Sequence, residues 1–225
     1  MAAGLFVTGT DTGVGKTLIA CALLQAFSAA GRASMGMKPV TAGREGGRFH
    51  DVEALIAAGN VRAPESLVNP YAFDPPIAPH IAARQAGVEI GIDVIVNSYR
   101  ELSRLADVVV VEGAGGFMIP LNASQTSADL ARELGLPVVL VVGMRLGCLN
   151  HALLTRRAIA DSGLACAGWV ANCILPGMPY LDDNIRALQE RLASPLLGIV
   201  PHQRDATRHH VAQCLSIEAL VAANT

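Results

Sequence analysis

Charge is scarce in this sequence, and so are aromatic rings. Only 16% of the 225 residues are Asp, Glu, Lys or Arg, and the formal net charge of −2 supplies no polycationic face, so nucleic acid is not expected as a partner. Aromatic side chains are limited to Trp169, three tyrosines and five phenylalanines, which leaves the core to Val, Leu, Ile and Ala. That usage suits parallel strands covered on both faces. Long apolar runs are missing too. The stretches around 108–111 and 137–142 fall far short of the roughly 20 residues needed to cross a bilayer, so no membrane is expected as a partner. The first residues, from Met1 to Phe6, carry neither a basic segment nor a long apolar one, so no secretory signal is expected and the chain is placed in the cytoplasm. Cys21, Cys148, Cys166, Cys173 and Cys214 form no Cys-x-x-Cys pair and no zinc spacing, and reduced, mostly buried thiols are expected. No Ser/His/Asp or Cys/His arrangement accompanies a nucleophile elbow.

What is present is apolar material in regular alternation. Short apolar runs predict strands over 5–8, 34–38, 108–112, 138–142, 168–172 and 197–200. Amphipathic patterns predict helices over 16–30, 52–58, 92–105, 127–134, 150–162, 181–192 and 216–222. Such alternation gives βαβ units and a parallel sheet in a single α/β domain over 1–225. Residues 60–79 break the rhythm. With Pro64, Pro70, Pro75, Pro76 and Pro79 they are not expected to form a regular element, and they read equally as a functional loop or a surface excursion.

In open α/β sheets ligands gather at the carboxyl ends of the strands. The first strand is followed by Gly9-Thr10-Asp11-Thr12-Gly13-Val14-Gly15-Lys16-Thr17 and then a helix. Gly13 and Gly15 let backbone N–H groups turn toward an anion, and the helix start adds its positive dipole end. Lys16 offsets β- and γ-phosphate charge, and Thr17 offers a hydroxyl to Mg²⁺. The pattern predicts a P-loop NTPase-like fold, with a mostly parallel sheet flanked by helices on both faces. Five residues separate Gly9 from Gly15 where the standard loop has four, which marks a variant P-loop; Leu18 stands where a dinucleotide fingerprint needs its third glycine.

Other strand ends carry further candidates. Lys38 interrupts an apolar run at the end of the second predicted strand, where a cationic clamp on phosphate is favoured over a solvated charge. Glu112 closes a strand of four valines, a position poor for an unpaired carboxylate, and Mg²⁺ beside Thr17 is the expected partner. Gly113, Ala114 and Gly115 behind it allow close approach of a ligand. Asp51 fits an N-cap and a metal ligand equally well. The segment from Gly143 to Asn150 is a second glycine-rich helix start, balanced between an anion site and a plain turn.

Taken with Lys38-Pro39-Val40, Asn69-Pro70-Tyr71, Ala78-Pro79-His80, the 111–116 loop, Gly147-Cys148-Leu149-Asn150-His151 and 167–172, these residues resemble the dethiobiotin synthetase family over nearly the whole chain. The resemblance implies an ATP-dependent cyclo-ligase acting on 7,8-diaminononanoate and CO₂, by way of a carbamate and a carbamic–phosphoric anhydride. It implies that Lys16, Lys38 and Thr12 act on carbamate and phosphate. Mg²⁺ is implied on Thr17, Asp51 and Glu112. Nucleotide contacts are implied at Gly13, Val14, Gly15, Leu18, Gly113, Ala114 and Gly115, with Asn172 reading adenine and Pro201, His202 and Gln203 lining the base pocket. Family members are homodimers, which implies a substrate site of Thr12, Lys38 and Thr41 completed by Leu149 and Asn150 of the other subunit. The family usually has a hydroxyl residue just before the glycine at 43; here Ala42 holds that place and Thr41 precedes it. The main competing reading, a partition- or septum-positioning ATPase, shares the variant P-loop but carries a lysine where this chain has Asp11. A related amide-forming P-loop ligase is a second, and no glutaminase-like domain is present for its glutamine-dependent versions.

Overall fold

The computed structural model describes residues 3–202, 208–217 and 220. Its main sheet is six-stranded and parallel throughout, in the order β2-β5-β1-β6-β7-β8. The strands are β1 (Ala3–Gly9), β2 (Ser34–Met37), β5 (Val108–Glu112), β6 (Val138–Gly143), β7 (Cys166–Asn172) and β8 (Leu196–Val200). Two further strands, β3 (Val40–Ala42) and β4 (Tyr71–Phe73), pair with each other in a small parallel sheet. Helices α1 (Lys16–Ala29), α2 (His50–Ala58), α5 (Ile92–Leu102), α6 (Ser127–Leu134), α7 (Cys148–Asp161) and α8 (Leu181–Arg191) fall where the periodicity places them, give or take a few terminal residues.

The valine-rich strands show why the sheet is covered on both sides. In β5, Val109 and Val111 enter one core while Val108 and Val110 enter the other. In β6, Val138, Leu140 and Val142 face the first core, and Val139 and Val141 the second. With a side-chain period of two, both faces of a central strand are buried only if both sets are apolar. The second core is closed by α1, whose Ile19, Leu23, Leu24 and Phe27 are all buried. Trp169 fills the first core beneath α7 and α8 and is fully buried.

The expectation that 60–79 holds no regular element is corrected. It contains α3 (Glu65–Val68) and β4, and α4 (Pro79–Gln85) begins at its last residue. The prolines sit where no backbone donor is required: Pro64 caps α3, Pro70 precedes β4 and Pro79 opens α4. Only Pro75 and Pro76 lie in the intervening turn. Strand β3 was likewise not expected, being too short for a period to register. The helix expected over 216–222 does not begin there. Ser216 and Ile217 are non-helical, and the Ser216 N–H donates to the Leu197 carbonyl (2.8 Å). The helix preceding them is α9 (Arg208–Gln213), while 218, 219, 221 and 222 lie outside the described residues.

Candidate active site

Parallel strands deliver their following loops to one rim. Register sets the neighbours: Val7 pairs with Glu112 and Met37 with Val111, so Lys38 and Glu112 leave the sheet beside the loop that follows β1. On the other side Gly143 pairs with Asn172, and Asn172 with Val200.

The loop after β1 is built for an anion. Gly15 caps α1 with φ 91°, a left-handed conformation that favours glycine, and a Cβ there would run into the Asn172 amide. No side chain caps the helix, so its first N–H groups remain open to a ligand. Asn172 Nδ2 donates to the Val14 carbonyl (2.8 Å), tying the end of β7 to the loop. Lys16 Nζ donates to the Asp11 carbonyl (2.9 Å) and is almost buried.

Lys38 occupies the centre. Its Nζ lies 2.6 Å from Glu112 Oε1 and 3.1 Å from Asp51 Oδ2, and the Thr17 hydroxyl donates to the same Glu112 Oε1 (2.8 Å). Lys38 is 4% exposed and Glu112 1%, so this is a buried ion pair with a rim carboxylate attached. Glu112 Oε2 is buried and has no protein partner. Asp51 stands inside the first turn of α2, with Phe49 at the cap, so its side chain faces Lys38 and does not cap the helix.

Burial and charge move the ionisations in opposite directions. Desolvation lowers Lys16 to about 8, and the nearby Lys38 ammonium adds to the effect. For Lys38 burial also opposes the charge, but Glu112 and Asp51 outweigh it and hold the ammonium above its ordinary value. Burial likewise opposes charge on Asp51, and Lys38 overrides it, so that carboxyl stays below its usual range.

These groups line a cavity of about 670 Å³ together with Thr12, Gly13, Gly15, Val40, Thr41, Ala42, Ala114, Gly115 and the Pro76–Pro79 turn. A second cleft of about 700 Å³, bordered by Glu89, Asp93, Arg100 and Glu133, holds no lysine and no phosphate loop. The smaller cavity is the one that gathers the phosphate loop, both lysines and the Asp51 and Glu112 carboxylates.

Most of the candidates thus converge. Thr41 and Ala42 both line the cavity, Thr41 buried and Ala42 partly so. Val14 is buried beneath the phosphate loop, Leu18 packs its side chain on the second core, and Gly113 lies against Phe6. Leu149 and Asn150 begin α7 and do not line this cavity. Pro201 and His202 are exposed at the end of β8, and Gln203 lies outside the described residues.

The organising contacts of three residues, Asn69, Asp11 and Arg145, are not read from the sequence. Asn69 Nδ2 donates to the carbonyls of Lys38 (2.6 Å) and Tyr71 (3.1 Å), while the Lys38 N–H donates to Val68 O (2.8 Å). The proline-rich segment therefore holds the catalytic candidate by its backbone. Asp11 accepts the Thr12 N–H (2.7 Å), which holds its carboxyl below the usual range, and pairs with Arg145 (2.5 Å) from the loop after β6. An Asp next to Thr in the phosphate loop was the available signal.

The AAA domain family matches residues 3–210. The chain is 54% identical over 217 residues to an ATP-dependent dethiobiotin synthetase of Nitrosospira multiformis, covering 96% of each chain. It is 51% identical to the ATP-dependent dethiobiotin synthetase of Aromatoleum aromaticum, covering 94% of this chain and 96% of that one. Among solved structures, the cell division ATPase MinD of Pyrococcus furiosus superposes with a TM-score of 0.61 at 15% identity, covering 99% of this chain and all of its own. The cell division protein FtsY of Thermotoga maritima gives 0.53 at 17% identity, covering 95% of this chain and 68% of that one. At those identities the last two establish the P-loop fold alone.

Proposed function

The chain belongs to the ATP-dependent dethiobiotin synthetases and forms dethiobiotin in biotin biosynthesis, and from that premise we propose how its rim residues divide the work. The observation that carries the reading is the meeting of Lys38 and Glu112, 74 residues apart in the chain, at 2.6 Å inside the phosphate-loop cavity. It brings a second cation into the cavity that Lys16 also lines, where the triphosphate is to be held.

One amine of 7,8-diaminononanoate takes up CO₂ as a carbamate. A carbamate oxygen attacks the γ-phosphorus of ATP and ADP departs, leaving a carbamic–phosphoric anhydride. The second amine then attacks the carbamate carbon, the C–O bond to phosphate breaks, and the ureido ring closes. Every step gathers or shifts negative charge on oxygen, so the protein's task is positioning and electrostatic stabilisation. Lys16 holds the β- and γ-phosphates, Lys38 bridges γ-phosphate and carbamate, and Thr12, exposed on the cavity wall, meets the same oxygens. Thr41 lies along the diamine. Asn172, whose Nδ2 donates to the Val14 carbonyl, is assigned to the adenine, and the same assignment extends to Pro201 and His202 at the end of β8 and to Gln203, which lies outside the described residues.

A divalent cation fits the oxygen set. Glu112 Oε2 is buried without a partner, Asp51 faces the cavity and Thr17 adds a hydroxyl. No three His, Cys, Asp or Glu side chains cluster as a metal cage among the described residues. Mg²⁺ needs no such cage, because it takes one or two carboxylates and completes its shell with phosphate oxygens and water. When bound, it offsets charge on the β- and γ-phosphates.

A homodimer completes the site. Leu149 and Asn150 lie outside their own subunit's cavity, and Leu146, Leu153 and Leu154 expose apolar surface around the start of α7; such surface supports a subunit contact there. The substrate carboxylate then meets the α7 start of the second subunit. The free thiols and the use of ATP support a cytoplasmic location. No described helix is long and apolar enough to cross a membrane.

Isotope transfer tests the anhydride. With ¹⁸O-labelled bicarbonate, label is expected in the released phosphate, since the bridging oxygen comes from the carbamate. Phosphate free of label would exclude carbamate attack on the γ-phosphate.

A further inference from the structure

Within the site, the positive and negative charges already cancel. The ammonium groups of Lys16 and Lys38 face the carboxylates of Asp51 and Glu112, and both oxygens that Lys38 engages belong to residues read above as metal-facing. A divalent ion added alone would leave the pocket doubly positive in a largely buried setting, an arrangement that low local polarity penalises. It would also compete with Lys38 for Glu112 and Asp51. The triphosphate removes both obstacles by bringing compensating negative charge and a new partner for the lysine.

We infer that Lys38 is an internal counter-cation which holds the Asp51–Glu112 pair against free divalent metal, and which gives up those carboxylates only when metal and nucleotide arrive together. Lys38 then turns its ammonium to the phosphate and carbamate oxygens. The exchange makes the catalytic lysine available once ATP is bound and withholds it before. The geometry has the needed asymmetry: Lys38 Nζ contacts Glu112 Oε1 and leaves Oε2 unpartnered, so Glu112 has an oxygen ready for an incoming ion before the lysine departs. The backbone of Lys38 is pinned at both N–H and carbonyl, by Val68 and Asn69, so the exchange is confined to the side chain. This inference rests on the reading of Thr17, Asp51 and Glu112 as the metal-facing set.

Mn²⁺ binding followed by water-proton relaxation, which separates protein-bound Mn²⁺ from Mn²⁺ on free nucleotide, tests it without turnover. Wild type is expected to bind Mn²⁺ weakly alone and strongly with ATP when the diamine is omitted. Lys38→Met and Lys38→Gln, checked for folding by circular dichroism, are expected to bind Mn²⁺ without nucleotide on the order of tenfold more tightly than wild type. Adding Glu112→Gln to Lys38→Met is expected to abolish the gain. Wild type that binds Mn²⁺ equally well with and without ATP overturns the inference, whether or not the variants fold. Folded Lys38 variants with no gain, or a gain surviving Glu112→Gln, overturn it while leaving the metal reading in place. No protein-bound Mn²⁺ even with ATP removes the metal reading itself, and the inference with it.

Discussion

Replacing Lys16 with methionine is expected to stabilise the free chain near neutral pH while abolishing ATP-driven turnover. Lys16 is almost buried, and desolvation, reinforced by Lys38, brings its ammonium from 10.5 down to about 8. A displacement of that size corresponds to roughly 3 kcal/mol held against the charged form. The sign follows from proton counts. Below pH 8 the group is charged in both states and folding bears the whole cost. Between pH 8 and 10.5 the unfolded chain keeps the proton that the folded chain has lost, so wild-type stability rises with pH across that window. Methionine removes the cost and forfeits the hydrogen bond to the Asp11 carbonyl, about 1 kcal/mol, leaving a net gain of about 2 kcal/mol at pH 7. Urea unfolding of both proteins at pH 7 and pH 9.5 measures it. The advantage of Lys16→Met should shrink by about 2 kcal/mol at the higher pH, because only wild type gains there. A variant less stable than wild type at pH 7, or a difference indifferent to pH, would refute the reasoning.

Three further outcomes follow from the same geometry. Gly15→Ala forces a side chain into the left-handed region and into the Asn172 amide; it should cost at least about 2 kcal/mol and eliminate the thermal stabilisation by ATP, and a normal ATP shift would contradict this. Lys38→Ala leaves Glu112 buried without its cation and should lower stability by about 3 kcal/mol in urea while stopping ring closure; full turnover would take Lys38 out of the mechanism. Leu146→Asp places a charge on a side chain that is 97% exposed in the single chain, and light scattering should report a shift from dimer to monomer with a raised KM for the diamine. An unchanged dimer would move the subunit contact elsewhere.

The parts of the fold legible in the sequence are those where one strong pattern acts alone. Four consecutive valines ending at Glu112 have no stable place except a strand buried on both faces, and β5 is found at 108–112 as expected. The phosphate loop is legible for the same reason, since glycine spacing, lysine and helix start all demand one geometry. Short elements held by distant partners were hidden. Strands β3 and β4 have three residues each, too few to show a period, and exist because Val40, Thr41 and Ala42 find Tyr71, Ala72 and Phe73. Proline count alone hides the elements of 60–79, because Pro64 occupies a helix cap, Pro79 a first helical position and Pro70 the entry to a strand, none of which breaks an element. At the site, Lys38 and Glu112 stood out because each is a charge at the end of an apolar run. Asn69 did not, because its role depends on the Lys38 carbonyl lying 2.6 Å away, a contact between residues 31 apart.

The most direct test is ADP release measured with diaminononanoate and bicarbonate supplied separately and together, with the product weighed by mass spectrometry. Release that requires both compounds, accompanied by a product carrying one added carbonyl carbon in a closed ring, is the expected result. Hydrolysis of ATP that proceeds at the same rate without either compound would contradict the account.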